Sequence, residues 1–319
     1  MIFVDRVTDS VVCVERATDG GHDGFAQVKH SGGNGYGRRA LVAIDDTLAH
    51  RRYSVVIPAF NEEAYIGSCL ESLAAQDYPA PFEIIVVDNN STDRTAAIAA
   101  AVGATVVFEP ERGVCQARQC GTAVAHGNIV ISTDADTTFS PGWLSAIDRA
   151  FARNPAAVAV AGPCQFVAAP WWAVLYPKLL FGPVDIVKRI TGRVIYISAT
   201  NIAFRKSAFS GYDTRLTQGG DELDLLRRLQ AAGEVIFDPT NPTRTSSRRL
   251  DQGLLYNVAV TFVYYYLLGY VVNRAFRRPV LGMAPPFRSA RGASAPPSPR
   301  QQGRSWRLTR AALLMANRR

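Results

Sequence analysis

Two aspartates one residue apart, Asp134 and Asp136, follow the apolar run Ile129, Val130, Ile131. Carboxylates that leave a strand end together can share a divalent cation with a diphosphate, since hard oxygen ligands suit such ions. The same spacing also occurs in turns, where carboxylates accept backbone hydrogen bonds. Asp88 closes the run IIVVD and precedes NNSTDRT. From a strand end it can accept a base N–H or a ribose hydroxyl, or it can cap the turn that follows. Asp221 and Glu222 lie in GGDELDLLRRL, at a predicted helix start, where the helix dipole favours anions. The four histidines, His22, His30, His50 and His126, form no constellation for a metal or a catalytic triad.

The elements that must position these acids begin at Tyr53. YSVVIPAF is a buried-strand pattern that stops at Pro58, and NEEAYIGSCLESLAAQ spaces Ile66, Leu70 and Leu73 along one helical face. FEIIVVD is a second strand ending at Asp88; in STDRTAAIAAAVG, Ser91 is placed to cap a helix that Gly103 ends; ATVVFE is a third strand. Strand and helix in alternation predict an α/β fold with a parallel, doubly wound sheet, whose ligands sit beyond the carboxyl ends of the strands. Asn61 and Glu62 follow the first strand, Asp88 the second, and Asp134 and Asp136 the run NIVIST. The chemistry is thus expected at one rim.

A chain of 319 residues that is 48% hydrophobic has room for one main domain, expected over 51–250. Residues 1–50 read as a disordered extension, because 17–37 are rich in Gly, His, Ser and Asp without periodicity. The net charge of +8 is concentrated late: after position 251 there are eleven arginines and no Asp or Glu. A basic tail over 285–319 suits anionic lipid or plain solvation, and the folded body offers no face for nucleic acid. Residues 254–273 carry no charge over 20 positions, about 30 Å as a helix and enough to cross a bilayer core. Asn257 and five tyrosines leave a spanning, an interfacial and a buried helix all open, within a hydrophobic membrane-associated region set at 251–284. PWWAVLYPKLLFGPVDIVKRI is broken by Pro177, Lys178, Pro183 and Asp185 and suits an interfacial segment. Five cysteines (Cys13, Cys69, Cys115, Cys120, Cys164), odd in number and without CxxC spacing, suggest neither zinc nor a disulfide framework. Acids near the N-terminus do not fit a secretion signal. The expected setting is reducing, at the cytoplasmic face of a membrane.

Five stretches in order, VVIPAFNEE, VVDNNSTDRT, GVCQARQCGTAVAHGNIVISTDAD, SATNIAFRKSAF and GGDELDLLRRL, make the chain from about 54 to 229 resemble the family 2 glycosyltransferases with the GT-A fold. The resemblance implies a mainly parallel sheet flanked by helices and transfer of a sugar, with inversion, from a nucleoside-diphosphate donor. It implies that Pro58, Phe60, Glu62 and Asp88 line the nucleotide pocket, that Asp134 contacts nucleoside or ribose, and that Asp136 holds the metal. Hard oxygen ligands without imidazole or thiolate imply Mg2+ or Mn2+. Arg112 and Arg118, ahead of the metal motif, could offset diphosphate charge; Arg118 equally suits a solvated or structural role.

The chain departs from the family pattern twice. Where the family reads Glu-Asp, this chain has Asp221-Glu222, so the base is Glu222 or Asp221, or none is needed if the acceptor is an ionised phosphate. A Gln-x-x-Arg-Trp signature of processive synthases is absent, with Thr245, Ser246, Ser247, Arg248 and Arg249 in its region; transfer of a single sugar is expected. Arg248 and Arg249 could hold a donor diphosphate or an acceptor lipid phosphate, or serve as juxtamembrane charges. A lipid-linked acceptor is expected from membrane proximity. Two other readings stand beside this one: a nucleotidyltransferase, which would carry a glycine-rich basic loop where this chain has PAFNEE, and a membrane scaffold of this fold that has lost activity.

Overall fold

A computed structural model describes residues 52–250, apart from 168, 171–174, 215–220 and 249, together with 253–256 and positions 263, 264, 268, 272 and 276. The expected extension over 1–50, the tail over 285–319, most of the hydrophobic helix over 254–273, and Arg249 lie outside the described residues.

The first strand, β1 (Tyr53–Ala59), pairs in parallel with β2 (Glu83–Asp88), which sets Ala59 level with Asp88. β2 continues in parallel to β3 (Thr105–Phe108), and on its other side β1 pairs with β4 (Ile129–Ser132). The ladder between β1 and β4 ends at Val56 and Ser132, so the missing N–H of Pro58 costs no bond on that side. Beyond β4 come β8 (Ile202–Arg205), β6 (Ala157–Ala161) and β9 (Glu234–Phe237), giving the order β3-β2-β1-β4-β8-β6-β9. β8 runs antiparallel to both its neighbours, and every other adjacent pair is parallel. The sheet is therefore mainly parallel, as expected, with one reversed strand that strand–helix alternation does not foretell.

Strand residues alternate between two cores. Val55 and Ile57 of β1, with Ile84 and Val86 of β2, meet α1 (Ile66–Ala74), α2 (Thr95–Ala101) and α4 (Trp143–Arg153). Val56, Ile85 and Val87 meet α3 (Val114–Val124), α5 (Leu175–Thr191) and α6 (Asp221–Ala232) on the opposite face. Cover on both faces is why β1 and β2 read as unbroken apolar runs. α1 buries Ile66, Cys69, Leu70 and Leu73, the expected face. Ser91 does not cap α2: the helix starts at Thr95 without a side-chain cap on its N-cap residue, Arg94, and the Ser91 hydroxyl accepts the Asn61 N–H at 2.9 Å instead. Two loops compete for that oxygen, and the tertiary contact takes it.

A second sheet of three short strands, in the order β5-β10-β7, consists of β5 (Thr137–Thr138), β7 (Cys164–Val167) and β10 (Thr243–Ser246). Its antiparallel pairing of Thr245 with Thr137 lays the chain after β10 across the turn that carries Asp134 and Asp136. Among the described residues no helix is long and apolar enough to cross a membrane. The last described helix is α7 (Leu254–Tyr256).

Candidate functional site

Three strand ends deliver the acids. After β1 the chain turns at Asn61, whose φ of 52° lies in the left-handed region, tolerated by asparagine better than by most residues. The turn is fixed to the loop after β2: Asn61 Oδ1 accepts the Thr92 N–H at 2.6 Å, and the Thr95 hydroxyl accepts the Glu62 N–H at 2.7 Å. Glu62 therefore starts from a held backbone. Asp88 ends β2 with its Oδ1 accepting the Ser91 N–H at 3.0 Å, the turn-capping contact. Asn89 beside it accepts the Gly113 N–H through Oδ1 and donates to the Glu109 and Glu111 carbonyls. That ties the loop after β3 to the same rim. Phe60 lies beneath the guanidinium of Arg112, 4.3 Å from its ring centroid, and Pro58 stands level with Val87 of β2.

Beyond β4, the two aspartates part company. Asp134 Oδ1 accepts from Nη2 of Arg118 at 2.8 Å, and the other terminal nitrogen, Nη1, donates to Asp221 Oδ2 at 2.6 Å. Arg118 is 4% exposed. Burial opposes its charge, but the Asp134 and Asp221 carboxylates outweigh that and hold its pKa above the ordinary value. Arg118 is thus a structural clamp between the strand-end turn and the start of α6, with both terminal nitrogens committed to carboxylates and not to a diphosphate. The solvated alternative for Arg118 is ruled out by its burial.

The clamp also separates Asp221 from Glu222. Asp221 is buried against Arg118, whereas Glu222 turns to Tyr196, whose hydroxyl donates to Oε2 at 2.8 Å, and to the Ala199 N–H, which donates to Oε1 at 3.0 Å. Burial and the neighbouring Asp221 charge push the Glu222 carboxyl up to about 7, against the lowering pull of those two donors and of Arg118. A carboxyl poised near neutrality and reached by two donors suits proton transfer. Ala199 lies in the stretch SATNIAFRKSAF, but nothing in the sequence singles out it or Tyr196 for this role.

Asp136 faces the small sheet. Its Oδ1 accepts from the Thr245 hydroxyl at 3.2 Å, and its Oδ2 stands 3.0 Å from Nη2 of Arg248. The same guanidinium grips Glu62 with two hydrogen bonds, Nη1 to Oε2 at 2.8 Å and Nη2 to Oε1 at 2.7 Å. Burial raises the Glu62 pKa, and Arg248 pulls it back down. Arg248 also lies over Tyr65, 4.9 Å from the ring centroid.

The donor set fits a divalent cation in a limited way. Among the described residues no group of three or more His, Cys, Asp or Glu could enclose an ion. Asp136 offers one carboxylate at a site where a guanidinium already supplies positive charge, and Asp134 is engaged by Arg118. Mg2+ is commonly held by one or two carboxylates with phosphate oxygens completing its shell. Asp136 would be the ligand the protein supplies, and a donor diphosphate would furnish the rest.

Residues 54–212 match the family model described as Glycosyl transferase family 2. Over 97 residues the chain is 42% identical to an uncharacterised glycosyltransferase of Mycobacterium tuberculosis, covering 30% of this chain and 42% of that one. Over 108 residues it is 36% identical to the 4,4'-diaponeurosporenoate glycosyltransferase of Staphylococcus aureus, covering 32% of this chain and 28% of that one. The chain therefore spans less than half the length of these curated relatives. Among solved structures, Staphylococcus aureus TarS in complex with UDP-GlcNAc superposes with a TM-score of 0.53 at 20% identity, covering 61% of this chain and 58% of that one. The mannosyltransferase of Pyrobaculum calidifontis with GDP-Man and Mn2+ gives 0.51 at 23% identity, over 62% and 58% of the two chains. The glucosyl-3-phosphoglycerate synthase of Mycobacterium tuberculosis with Mg2+ and UDP gives 0.51 at 20% identity, over 73% and 81%. At these identities the likeness is one of fold.

Proposed function

Since this chain belongs, through residues 54–212, to glycosyl transferase family 2, we propose that it transfers a single sugar with inversion from a nucleoside-diphosphate sugar to an acceptor held at a membrane surface. The observation that carries this reading is the Arg118 clamp, which joins Asp134 to Asp221 at 2.8 and 2.6 Å. One buried side chain thereby brings the donor-side turn and the start of α6 together, so that a donor lying on the rim and an acceptor reaching Glu222 belong to one site.

In this mechanism Pro58, Phe60, Glu62 and Asp88 line the pocket for the nucleoside. Asp136 would hold Mg2+ or Mn2+, and such an ion would supply positive charge against a departing nucleoside diphosphate. Arg118 keeps Asp221 paired as an anion. Glu222, with its carboxyl pushed up to about 7, takes the proton of an acceptor hydroxyl while Tyr196 and Ala199 hold its two oxygens. An ionised phosphate acceptor would need no base, and the position of Glu222 favours a hydroxyl.

A lipid-linked acceptor at a membrane surface is supported by α5. Ile186 and Ile190 are 58% and 77% exposed, with Arg189 and Arg193 also on the surface. The buried side of the same helix places Phe181 with its ring centroid 5.7 Å from that of Tyr196, the residue that holds Glu222. The exposed isoleucines thus lie on the outer side of a helix whose inner side packs against the partner of the proposed base, and an interfacial helix so placed would bring a lipid-borne acceptor near the site.

The reading is tested by donor hydrolysis and transfer across a panel of nucleotide sugars, with and without Mn2+. Turnover of at least one donor is expected, with Asp136→Ala reducing it by about a hundredfold or more. Inactivity of the native chain over the whole panel, with and without Mn2+, would leave the scaffold reading in its place.

A further inference from the structure

Arg248 makes more contacts than a surface charge requires. Its guanidinium donates to both oxygens of Glu62 at 2.7 and 2.8 Å and stands 3.0 Å from Asp136 Oδ2. The side chains of Arg248, Glu62 and Asp136 are 18%, 13% and 11% exposed. Asp136 is held by the same segment at two further points: the Ser246 N–H donates to its carbonyl at 3.1 Å and the Thr245 hydroxyl to its Oδ1 at 3.2 Å. The strand β10 and the residues after it therefore close over the turn that the cation would use.

A cation and this guanidinium cannot both sit comfortably on Asp136. Metal-to-carboxylate distances of about 2.1 Å would leave a dication on Oδ2 no farther than about 5 Å from Nη2. With so little water between them, the repulsion is poorly screened. Glu62, meanwhile, has both oxygens engaged by the fork of Arg248, so a nucleoside hydroxyl must compete with the guanidinium for that carboxylate.

We propose, building on the donor-site reading above, that Arg248 latches the donor site shut and that donor loading is an exchange of partners. The Arg248 guanidinium leaves Asp136 to the cation and Glu62 to the nucleoside, and moves onto the donor diphosphate. Each anion trades one partner for another, so the opened state leaves no buried carboxylate unpaired.

The test measures binding of Mn2+ alone to the full chain, from the electron paramagnetic resonance signal of the free ion, with circular dichroism confirming that each variant is folded. Arg248→Met is expected to bind Mn2+ about tenfold more tightly than the native chain, the scale of one charge-assisted hydrogen bond. Arg248→Lys, which keeps the charge but cannot fork across two carboxylates, is expected to tighten binding by a smaller factor, and it serves if the methionine variant fails to fold. Arg112→Met removes a charge from the same rim without touching Asp136 and is expected to change affinity by less than about twofold, an exposed charge being largely screened. Unchanged or weaker Mn2+ binding in both Arg248 variants overturns the latch, and so does equal tightening in Arg112→Met. Asp136→Ala separates the two layers: loss of Mn2+ binding there keeps the donor-site reading even if the latch fails, while undiminished binding overturns both.

Discussion

In the proposed mechanism the choice between Asp221 and Glu222 as base falls to a residue 103 positions upstream. Adjacent acids at a helix start are equivalent in sequence; Arg118 takes Asp221, and Glu222 is left to Tyr196 and Ala199. Asp134, Asp136, Glu62 and Asp88 were legible because each follows an apolar strand run. The partners Tyr196 and Thr245 were not, since their contacts come from a loop and a short strand that meet these acids only in three dimensions. The consequence for pH is specific. With Glu222 pushed from an ordinary 4.5 up to about 7, its basic form grows as pH rises through 7, so kcat/KM should climb to a plateau with a midpoint near 7. Glu222→Gln should remove that limb and lower the rate by about 10²- to 10⁴-fold. Stability runs the other way. Between 4.5 and 7 the folded chain keeps a proton that the unfolded chain has lost, so the contribution of Glu222 is complete below 4.5 and is gone above 7. Glutamine can accept from the Ala199 N–H and donate to the Tyr196 oxygen without titrating. The melting temperature of the variant relative to the native chain should therefore rise from pH 4.5 to 7 and stay level beyond. A gap independent of pH would remove Glu222 from the titrating role.

At the scale of elements, the strands that matter most were readable for a physical reason. β1 and β2 are covered on both faces, so nearly every residue must be apolar and the run stands out. β5 and β10 were not readable: TT and TRTS carry no hydrophobic pattern, and their place is set by pairing across the Asp136 turn. β8 reverses direction, which no local periodicity encodes. The seating of α3 is a different case, written in one small residue. A methyl group on Gly121 would stand 2.4 Å from Val56 Cγ1 and 2.8 Å from Val87 Cγ2. Both valines are branched and fixed in central strands, so neither can withdraw. Gly121→Ala gains about 1 kcal/mol of helix propensity, while overpacking costs about 1–3 kcal/mol. The second should win, because the contact lies well inside van der Waals range. A lower urea midpoint is expected, with recovery in the double variant that adds Val56→Ala, since that substitution vacates the nearer contact. Arg118 lies one helical turn before Gly121, so activity should fall further than stability alone would require. An unchanged midpoint for Gly121→Ala would mean that α3 is not held at this distance.

Considered as a whole molecule, the domain has its proposed donor side at one sheet rim, and the chain has a basic, acid-free stretch after position 251. How the chain would meet a membrane, as proposed above, depends on which of two forces dominates. Arginines on anionic lipid act through charge, reach about a Debye length and weaken with salt. The uncharged run over 254–273 would act through apolar burial, which salt does not weaken. α5 offers a smaller apolar contribution through Ile186 and Ile190. Two exposed isoleucines bury far less surface than a run of 20 uncharged residues, and at about 25 cal/mol per Å2 the longer run should dominate. The full chain should therefore stay with sedimented membranes in about 1 M salt, where the Debye length is about 3 Å. Deletion of 252–319 should release it, with the fold intact because the cut spares Arg248 and the buried Leu250. Release of the full chain by salt would assign the attachment to the arginines. If the truncated chain remains on the membrane, α5 becomes the anchor, and Ile186→Ser with Ile190→Ser in that background should then free it.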